Sequence, residues 1–207
     1  MIYFPHISLP LKGGSSNMKA KCHRTLGDYL VRNYMHNHSR FHIRAFLIGC
    51  TEPDKNPMTY FKGSFRCQLL RGHDWESAQR YMQRIASRLE QRTKFRLMDY
   101  YTLGKLIHYI ADAFTFAHNN SFCFNLRTHR DYERMLQEYF LSCFQDLLPE
   151  TVTFSGSIMD LIRHHHDHYC QLESGVHNDS QFSIRVACAV IEQLLRISPL
   201  EKTPLPG

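Results

Sequence analysis

Apolar residues recur three or four positions apart through most of the chain, and no stretch keeps the strict alternation of a β-strand. The first stripe, formed by Cys22, Leu26, Leu30 and Tyr34, lies on one face of a helix. Similar spacing predicts further helices over residues 41–50, 75–89, 97–116, 132–148, 158–169 and 182–197. The pattern therefore predicts an all-α protein with a single multi-helix, bundle-like domain.

Glycine and proline positions predict where parts of this domain end. We expect Gly49, together with the loop 51–57 and its two prolines, to end the second helix. Residues 9–17 (LPLKGGSSN) read as a linker, so residues 1–17 are predicted to be an N-terminal extension outside the fold. The helical domain would then span residues 18–198, and the proline-rich residues 199–207 would form a flexible tail.

Composition narrows the class of protein. Of the 207 residues, 43% are hydrophobic and 21% are charged, which excludes wholesale disorder. The seven cysteines are scattered and form no CxxC pair, which argues against a disulfide framework or a thiolate zinc site. No apolar run approaches the ~20 residues that cross a bilayer, and the first residues lack the pattern of a signal peptide. We therefore expect a cytoplasmic protein.

The net charge of +6 is spread along the chain and is not concentrated in a run of lysine or arginine. An excess of this size permits binding to nucleic acid or to an anionic lipid surface, but it indicates neither. Nothing in the sequence predicts an oligomeric state.

Histidine is the unusual component, with fourteen residues. His108 and Asp112 are four positions apart on the most apolar predicted helix, and His129 and Glu133 repeat this spacing. Residues four apart lie on one face of a helix, so each pair can grip one metal ion. An isolated pair of this kind is more often a surface ion pair, but two pairs with His118 between them favour a metal site.

His118 follows Asp112 by six residues, which corresponds to ~600° of helical rotation and ~9 Å of rise. It would therefore serve a neighbouring ion, together with His129 and Glu133. The ion at His108 and Asp112 needs more ligands. The upstream candidates are His23, Asp54 and His73, with Glu52 and Asp74 as alternatives. Nitrogen and carboxylate donors with an open position suit catalytic zinc.

Two further features are predicted to be structural. In the run HHHDH at 164–168, consecutive helical residues point in different directions, so we expect a solvated helix end and not a metal site. Cys22 adjoins His23, but adjacent residues point ~100° apart on a helix, so we expect the Cys22 thiol to be buried.

From about residue 18 to residue 148, the chain resembles the zinc-dependent phospholipase C family of bacteria, which includes the clostridial alpha-toxin catalytic domain. Four segments carry the resemblance. They are HYIADAFTFAH at 108–118, HRDYE at 129–133, GCTEPDKNP at 49–57 followed by GHDWE at 72–76, and KCHRTLGDYLV at 21–31. The resemblance implies the helical fold of that family.

The resemblance also implies three zinc positions. The first would be held by Asp54, His73, His108 and Asp112. The second would be held by His118, His129 and Glu133. The third would be held by His23, with Asp112 bridging. In the secreted enzymes an N-terminal tryptophan completes the third position, whereas the single tryptophan of this chain is Trp75; two zinc ions are therefore expected and the third stays open.

For function, the resemblance implies a phosphodiester hydrolase of the phospholipase C type, in which metal-activated water attacks a phospholipid or a related phosphodiester. Asp54 would orient or deprotonate that water, and such a substrate implies peripheral contact with a membrane surface. Two alternatives stay open. One is a hydrolase like the single-strand-specific zinc nucleases, with nucleic acid as the less favoured substrate. The other is a zinc-stabilised domain that binds lipid or a partner and has little catalytic activity.

Overall fold

A computed structural model of the chain describes residues 19–55, 75–119, 126–143, 147 and 154–197. Within these residues the secondary structure is helical, without a strand. The helices are α1 (Lys19–Tyr34), α2 (Arg40–Lys55), α3 (Trp75–Glu90), α4 (Leu97–Ala113), α5 (Leu126–Cys143), α6 (Ile158–Tyr169) and α7 (Val176–Leu195). The predicted all-α fold class is confirmed. The predicted extension 1–17 and tail 199–207 lie outside the described residues.

Helix α4 is the buried centre of the domain. It packs against α1, α2, α3 and α7. Its side chains Leu103, Leu106, Ile107 and Ile110 are at most 1% exposed. A helix surrounded on several sides needs an apolar sequence all round, which is why α4 carries the most apolar stretch of the chain. Polar side chains on such a helix are removed from water, and this holds for His108 and Asp112.

Helices α2 and α4 run side by side in the same direction, and they meet at every fourth residue. His42 stacks on Tyr100 with ring centroids 4.4 Å apart, and the His108 ring bonds to the Cys50 carbonyl. Between these contacts Gly104 lies so close to α2 that a Cβ atom there would overlap a backbone oxygen. One further turn along both helices brings the end of α2 beside the part of α4 that carries Asp112.

The prediction that Gly49 ends the second helix is wrong. Helix α2 continues past Gly49 and through Pro53 to Lys55, so Asp54 lies in its last turn and not in a loop. Gly49 is small because α4 passes close by: a Cβ atom there would overlap the carbonyl oxygen of Tyr101.

Helix α4 ends at Ala113, three residues earlier than predicted. Thr115 then adopts an extended conformation, with φ −116° and ψ 123°, and a 3₁₀ turn follows over Phe116–His118. Helix α5 begins at Leu126, six residues before the predicted start. The break after Ala113 matters for function because it redirects the chain just before His118.

The predicted solvated helix end at 164–168 is wrong for two of its four histidines. His165 and His166 are 9% and 3% exposed, whereas His164 and His168 face solvent. The ring of His166 stacks on Trp75, with centroids 3.7 Å apart, and its Nε2 lies 2.9 Å from Oδ1 of Asn119. Burial lowers the pKa of His166 to about 4, so this ring is a neutral part of the core at neutral pH.

Candidate metal centre

The two ring nitrogens of His108 have different partners. Nδ1 lies 3.0 Å from the carbonyl oxygen of Cys50, which can only accept, so Nδ1 carries the proton. Nε2 faces two carboxylates, at 3.2 Å from Oδ2 of Asp112 and 3.8 Å from Oδ1 of Asp54. Burial, followed by the charge of His23, lowers the pKa of His108 and favours its neutral form. A neutral ring aims a lone pair at these carboxylates, an arrangement that suits a cation between them.

His23 of α1 completes the inner part of the cluster. Its Nε2 lies 3.3 Å from Oδ1 of Asp112 and 3.8 Å from Oδ2 of Asp54. Its ring lies against that of His108, with centroids 3.9 Å apart. One ligand atom each from His23, Asp54 and His108 fall within 4.8 Å of one another, and all three residues are buried. Three helices therefore deliver nitrogen and oxygen donors to one point.

His118 pairs with Glu133 and also adjoins Asp112, at the carboxylate oxygen that faces His23. Nε2 of His118 is 3.5 Å from Oε1 of Glu133 and 4.0 Å from Oδ1 of Asp112. On an uninterrupted α4, His118 would be carried away from Asp112. The break after Ala113 and the 3₁₀ turn bring it back. The second predicted group of ligands therefore adjoins the first.

Asp112 lies at the centre of the whole cluster. Its Oδ2 faces His108, whereas its Oδ1 faces His23 and His118. Burial alone would raise the pKa of Asp112, but its interactions with the neighbouring imidazoles of His108, His118 and His23 hold it well below its usual value. The side chain therefore stays a carboxylate, with Oδ2 toward His108 and Oδ1 toward both His23 and His118.

The spacing and chemistry of these donors fit zinc. Two ligand atoms bound at ~2.0–2.2 Å to a tetrahedral zinc ion lie ~3.3–3.6 Å apart. The pairs around Asp112 lie between 3.2 Å and 4.0 Å apart, before any metal draws them together. Imidazole and carboxylate are the donor types that zinc accepts, and the hydrogen bond from His108 to Cys50 is the usual outer support of a metal-binding histidine.

Not every candidate ligand belongs to the described part of the chain. His73 lies outside the described residues, and so does Asp74, the alternative next to it. His129 is in α5, but its side chain also lies outside the description. Glu52, the alternative to Asp54, has its Oε2 3.3 Å from Nζ of Lys105 and serves that buried cation. The roles of His73 and His129 therefore stay predictions.

A small pocket of about 50 Å³ opens beside the cluster. Its walls combine metal-site residues with side chains from α1, α5 and α7. They include His23, Asp112, His118 and Glu133 together with Leu26, Leu136, Phe140, Ser180 and Ser183. The cluster is thus buried but borders a space that a substrate group can enter.

Cys22 also lines this pocket, so it is more closely associated with the cluster than expected. It is half-buried, and burial, followed by the charges of Glu133 and Asp54, raises the pKa of its thiol to about 12. Adjacent residues of a helix point ~100° apart, yet both Cys22 and His23 line this pocket. The adjacency of Cys22 to His23 was the available signal.

The model of the zinc-dependent phospholipase C family matches residues 22–185. The chain therefore belongs to the zinc-dependent phospholipase C family, as the sequence motifs predict. No curated protein and no solved structure matched the chain. Within the described ranges, each helix is too short or too polar to span a membrane.

Proposed function

We propose that this protein is a zinc-dependent phosphodiester hydrolase that acts on phospholipids or closely related phosphodiesters. Family membership supports hydrolase chemistry with zinc. The observation that carries the proposal is the position of Asp112, a buried carboxylate within 4.0 Å of three imidazoles contributed by α1, α4 and the turn 116–118. Such a group is costly to bury in water-excluded surroundings without a cation.

We assign two zinc positions, with a third adjoining them, and the distances between the donor atoms support this assignment. Asp54, His108 and Asp112 would hold one ion, with His73 as the predicted fourth ligand. His118 and Glu133 would hold a second, with His129 as the predicted third ligand. His23, which faces both Asp54 and Asp112, would hold the third ion with Asp112 as the bridge. Bound zinc ions polarise phosphoryl oxygens and lower the pKa of bound water from ~16 to ~7.

The orientation of His108 and the role of Asp54 follow from the contacts of these two side chains. The bond to the Cys50 carbonyl fixes the His108 ring so that Nε2 points into the cluster. Asp54, whose side chain is fully buried, lies between His23 and His108 and can accept a proton from water held there. We therefore assign to Asp54 the orientation and deprotonation of the attacking water.

The pocket favours a lipid over a nucleic acid. Its walls are mainly apolar, from Leu26, Leu136 and Phe140. Its two serines already use their hydroxyl groups on the backbone: Ser180 donates to the Val176 carbonyl at 2.7 Å and Ser183 to the Ala111 carbonyl at 3.4 Å. An apolar wall beside the reacting centre fits an alkyl part of the substrate. Single strands are held by a basic groove and aromatic stacking surfaces, whereas the residues that line this pocket include no lysine or arginine and one Phe, Tyr or Trp side chain, Phe140.

Peripheral contact with a membrane surface is part of this proposal. A phospholipid substrate lies in such a surface, so an enzyme of this family would approach the surface to reach the phosphodiester bond.

The test uses the full chain supplied with zinc and phosphatidylcholine in mixed micelles. We expect release of diacylglycerol, and we expect Asp54→Asn to reduce the rate by at least 100-fold. Asp28→Asn is the matched control, because Asp28 pairs on the surface of α1 with Arg24 at 2.9 Å. Single-stranded DNA is assayed in parallel. Cleavage of DNA without hydrolysis of lipid would contradict the proposal, and so would full zinc occupancy with neither activity.

A further inference from the structure

Asp179 is a completely buried carboxylate on α7, and its two oxygens join three other elements. Oδ2 accepts the backbone N–H of Phe116 at 2.9 Å and the hydroxyl of Tyr132 at 2.8 Å. Oδ1 accepts the hydroxyl of Tyr169 of α6 at 2.7 Å. The motifs that indicate a metal site do not include this residue, which lies 46 positions after Glu133 in the chain.

The partners of Oδ2 are the immediate neighbours of two candidate zinc ligands. Phe116 begins the 3₁₀ turn that carries His118. Tyr132 directly precedes Glu133 on α5. A single carboxylate oxygen therefore ties together the two segments whose side chains meet at 3.5 Å, Nε2 of His118 and Oε1 of Glu133. The rings of Phe116 and Tyr132 also touch edge to face, with centroids 5.7 Å apart, so the two segments are packed as well as bonded.

The turn 116–118 is held locally by the side chain of Asn119, which donates to the carbonyls of Ala113 and Thr115, and it is tied to α7 by Asp179. It follows the end of α4 and has one short 3₁₀ turn of its own, so regular helical hydrogen bonds do not determine its position. The bond from the Phe116 N–H to Asp179 is a charge-assisted contact to a different helix, made only two residues before His118.

We propose that Asp179 is a positioning residue for the zinc ion held by His118 and Glu133. It touches neither the metal nor the substrate; it holds the turn 116–118 and the start of the Glu133 segment at the separation that a zinc ion requires. This inference rests on the proposed metal centre, but not on its hydrolytic activity. Supporting groups of this type contribute ~10- to 100-fold to metal affinity.

The experiment measures zinc affinities of the full-length protein by competition with a chromophoric chelator. The variant His118→Ala shows which measured zinc affinity belongs to the second position, and His108→Ala shows which belongs to the first. Below, each such affinity is called the first or the second class. We expect Asp179→Asn and Tyr132→Phe to weaken the second class ~10- to 100-fold and to leave the first class unchanged. Tyr169→Phe is the matched control: it removes a hydroxyl from the same carboxylate, but from the side of α6, and should leave both classes unchanged.

A purely structural role would give a different result. The proposal is overturned if Asp179→Asn and Tyr132→Phe bind zinc at both positions with the affinities of the wild type. It is also overturned if these two variants and Tyr169→Phe all weaken zinc binding at both positions to the same extent. It is also overturned if the wild type has no zinc class that depends on His118. Tyr132→Phe keeps the test decisive should Asp179→Asn fail to fold. Loss of the proposed hydrolysis with these affinities intact would count against the proposed function alone.

Discussion

Gly49 and Gly104 bring the backbones of α2 and α4 into direct contact, since a Cβ atom on Gly104 would lie 3.0 Å from the Cα atom of Gly49. The metal centre depends on this contact. His108 lies one turn after Gly104 and reaches the Cys50 carbonyl next to Gly49, and Asp54 one turn further along α2 faces the same ring. The absence of two side chains therefore sets the distance between ligands that are far apart in the sequence.

The first prediction concerns this crossing. In Gly104→Ala the new methyl group would overlap the Phe46 carbonyl oxygen, so the two helices must separate. We expect a loss of ~2–4 kcal/mol in the free energy of unfolding, together with weaker zinc binding. Gly175→Ala is the control, because a Cβ atom there would meet no atom within 4 Å. Urea denaturation and zinc titration measure both effects. Equal behaviour of the two variants would contradict the role assigned to Gly104.

The second prediction concerns metal-linked stability. A ligand that binds only the folded state at 100 times its dissociation constant adds ~2.7 kcal/mol, which is ~5–10 °C in melting temperature for a protein of this size. We expect zinc to raise the melting temperature of the chelator-treated protein by at least this amount. His108→Ala should lose at least one zinc ion and most of the shift, whereas His36→Ala, which changes an exposed histidine, should keep both. Calorimetry with and without a chelator makes the comparison.

The third prediction is a pH dependence caused by Asp179. Burial raises its pKa from 3.8 to about 6, although the hydrogen bonds from Phe116, Tyr169 and Tyr132 oppose the rise. Between these two pH values the folded state binds a proton that the unfolded state has released. The free energy of unfolding therefore falls as the pH rises through this window, by up to about 3 kcal/mol from this group.

Asp179→Asn isolates this contribution. The stability of the wild type relative to the variant should be greatest near pH 4 and should decline until about pH 6–7, because asparagine does not titrate. Unfolding by urea at several pH values, with a chelator present to exclude zinc, measures the difference. A difference that stays constant or grows with pH would show that Asp179 does not bind its proton more tightly in the folded protein.

Much of the fold follows from the sequence because helical spacing is a local property. Helix α6 spans the predicted residues 158–169, and α3 extends one residue beyond its predicted end. The predictions from the sequence were wrong where a helix that is distant in the chain determines the environment of a residue. Gly49 has the local properties of a helix end, but it is small because α4 passes over it. Likewise the buried position of His166 is set by Trp75, more than ninety positions earlier in the chain.

The candidate site was predictable where its ligands are close in sequence. His108 and Asp112 are one helical turn apart, and in the structure Nε2 of His108 lies 3.2 Å from Oδ2 of Asp112. The approach of His118 to Asp112 was not predictable, because it depends on the break in the helix after Ala113. Asp179 carries no motif at all, since its importance comes from hydrogen bonds to three separate elements.

The central claim, that imidazoles and carboxylates around Asp112 bind zinc, is tested most directly by anomalous scattering. Crystals of the full chain grown with zinc would be measured on both sides of the zinc absorption edge. We predict at least two anomalous peaks, one ~2.0–2.2 Å from Nε2 of His108 and from an oxygen of Asp112, and another at the same distances from His118 and Glu133. A difference map with no peak within bonding distance of these side chains, from protein that also retains no zinc in solution, would contradict the account.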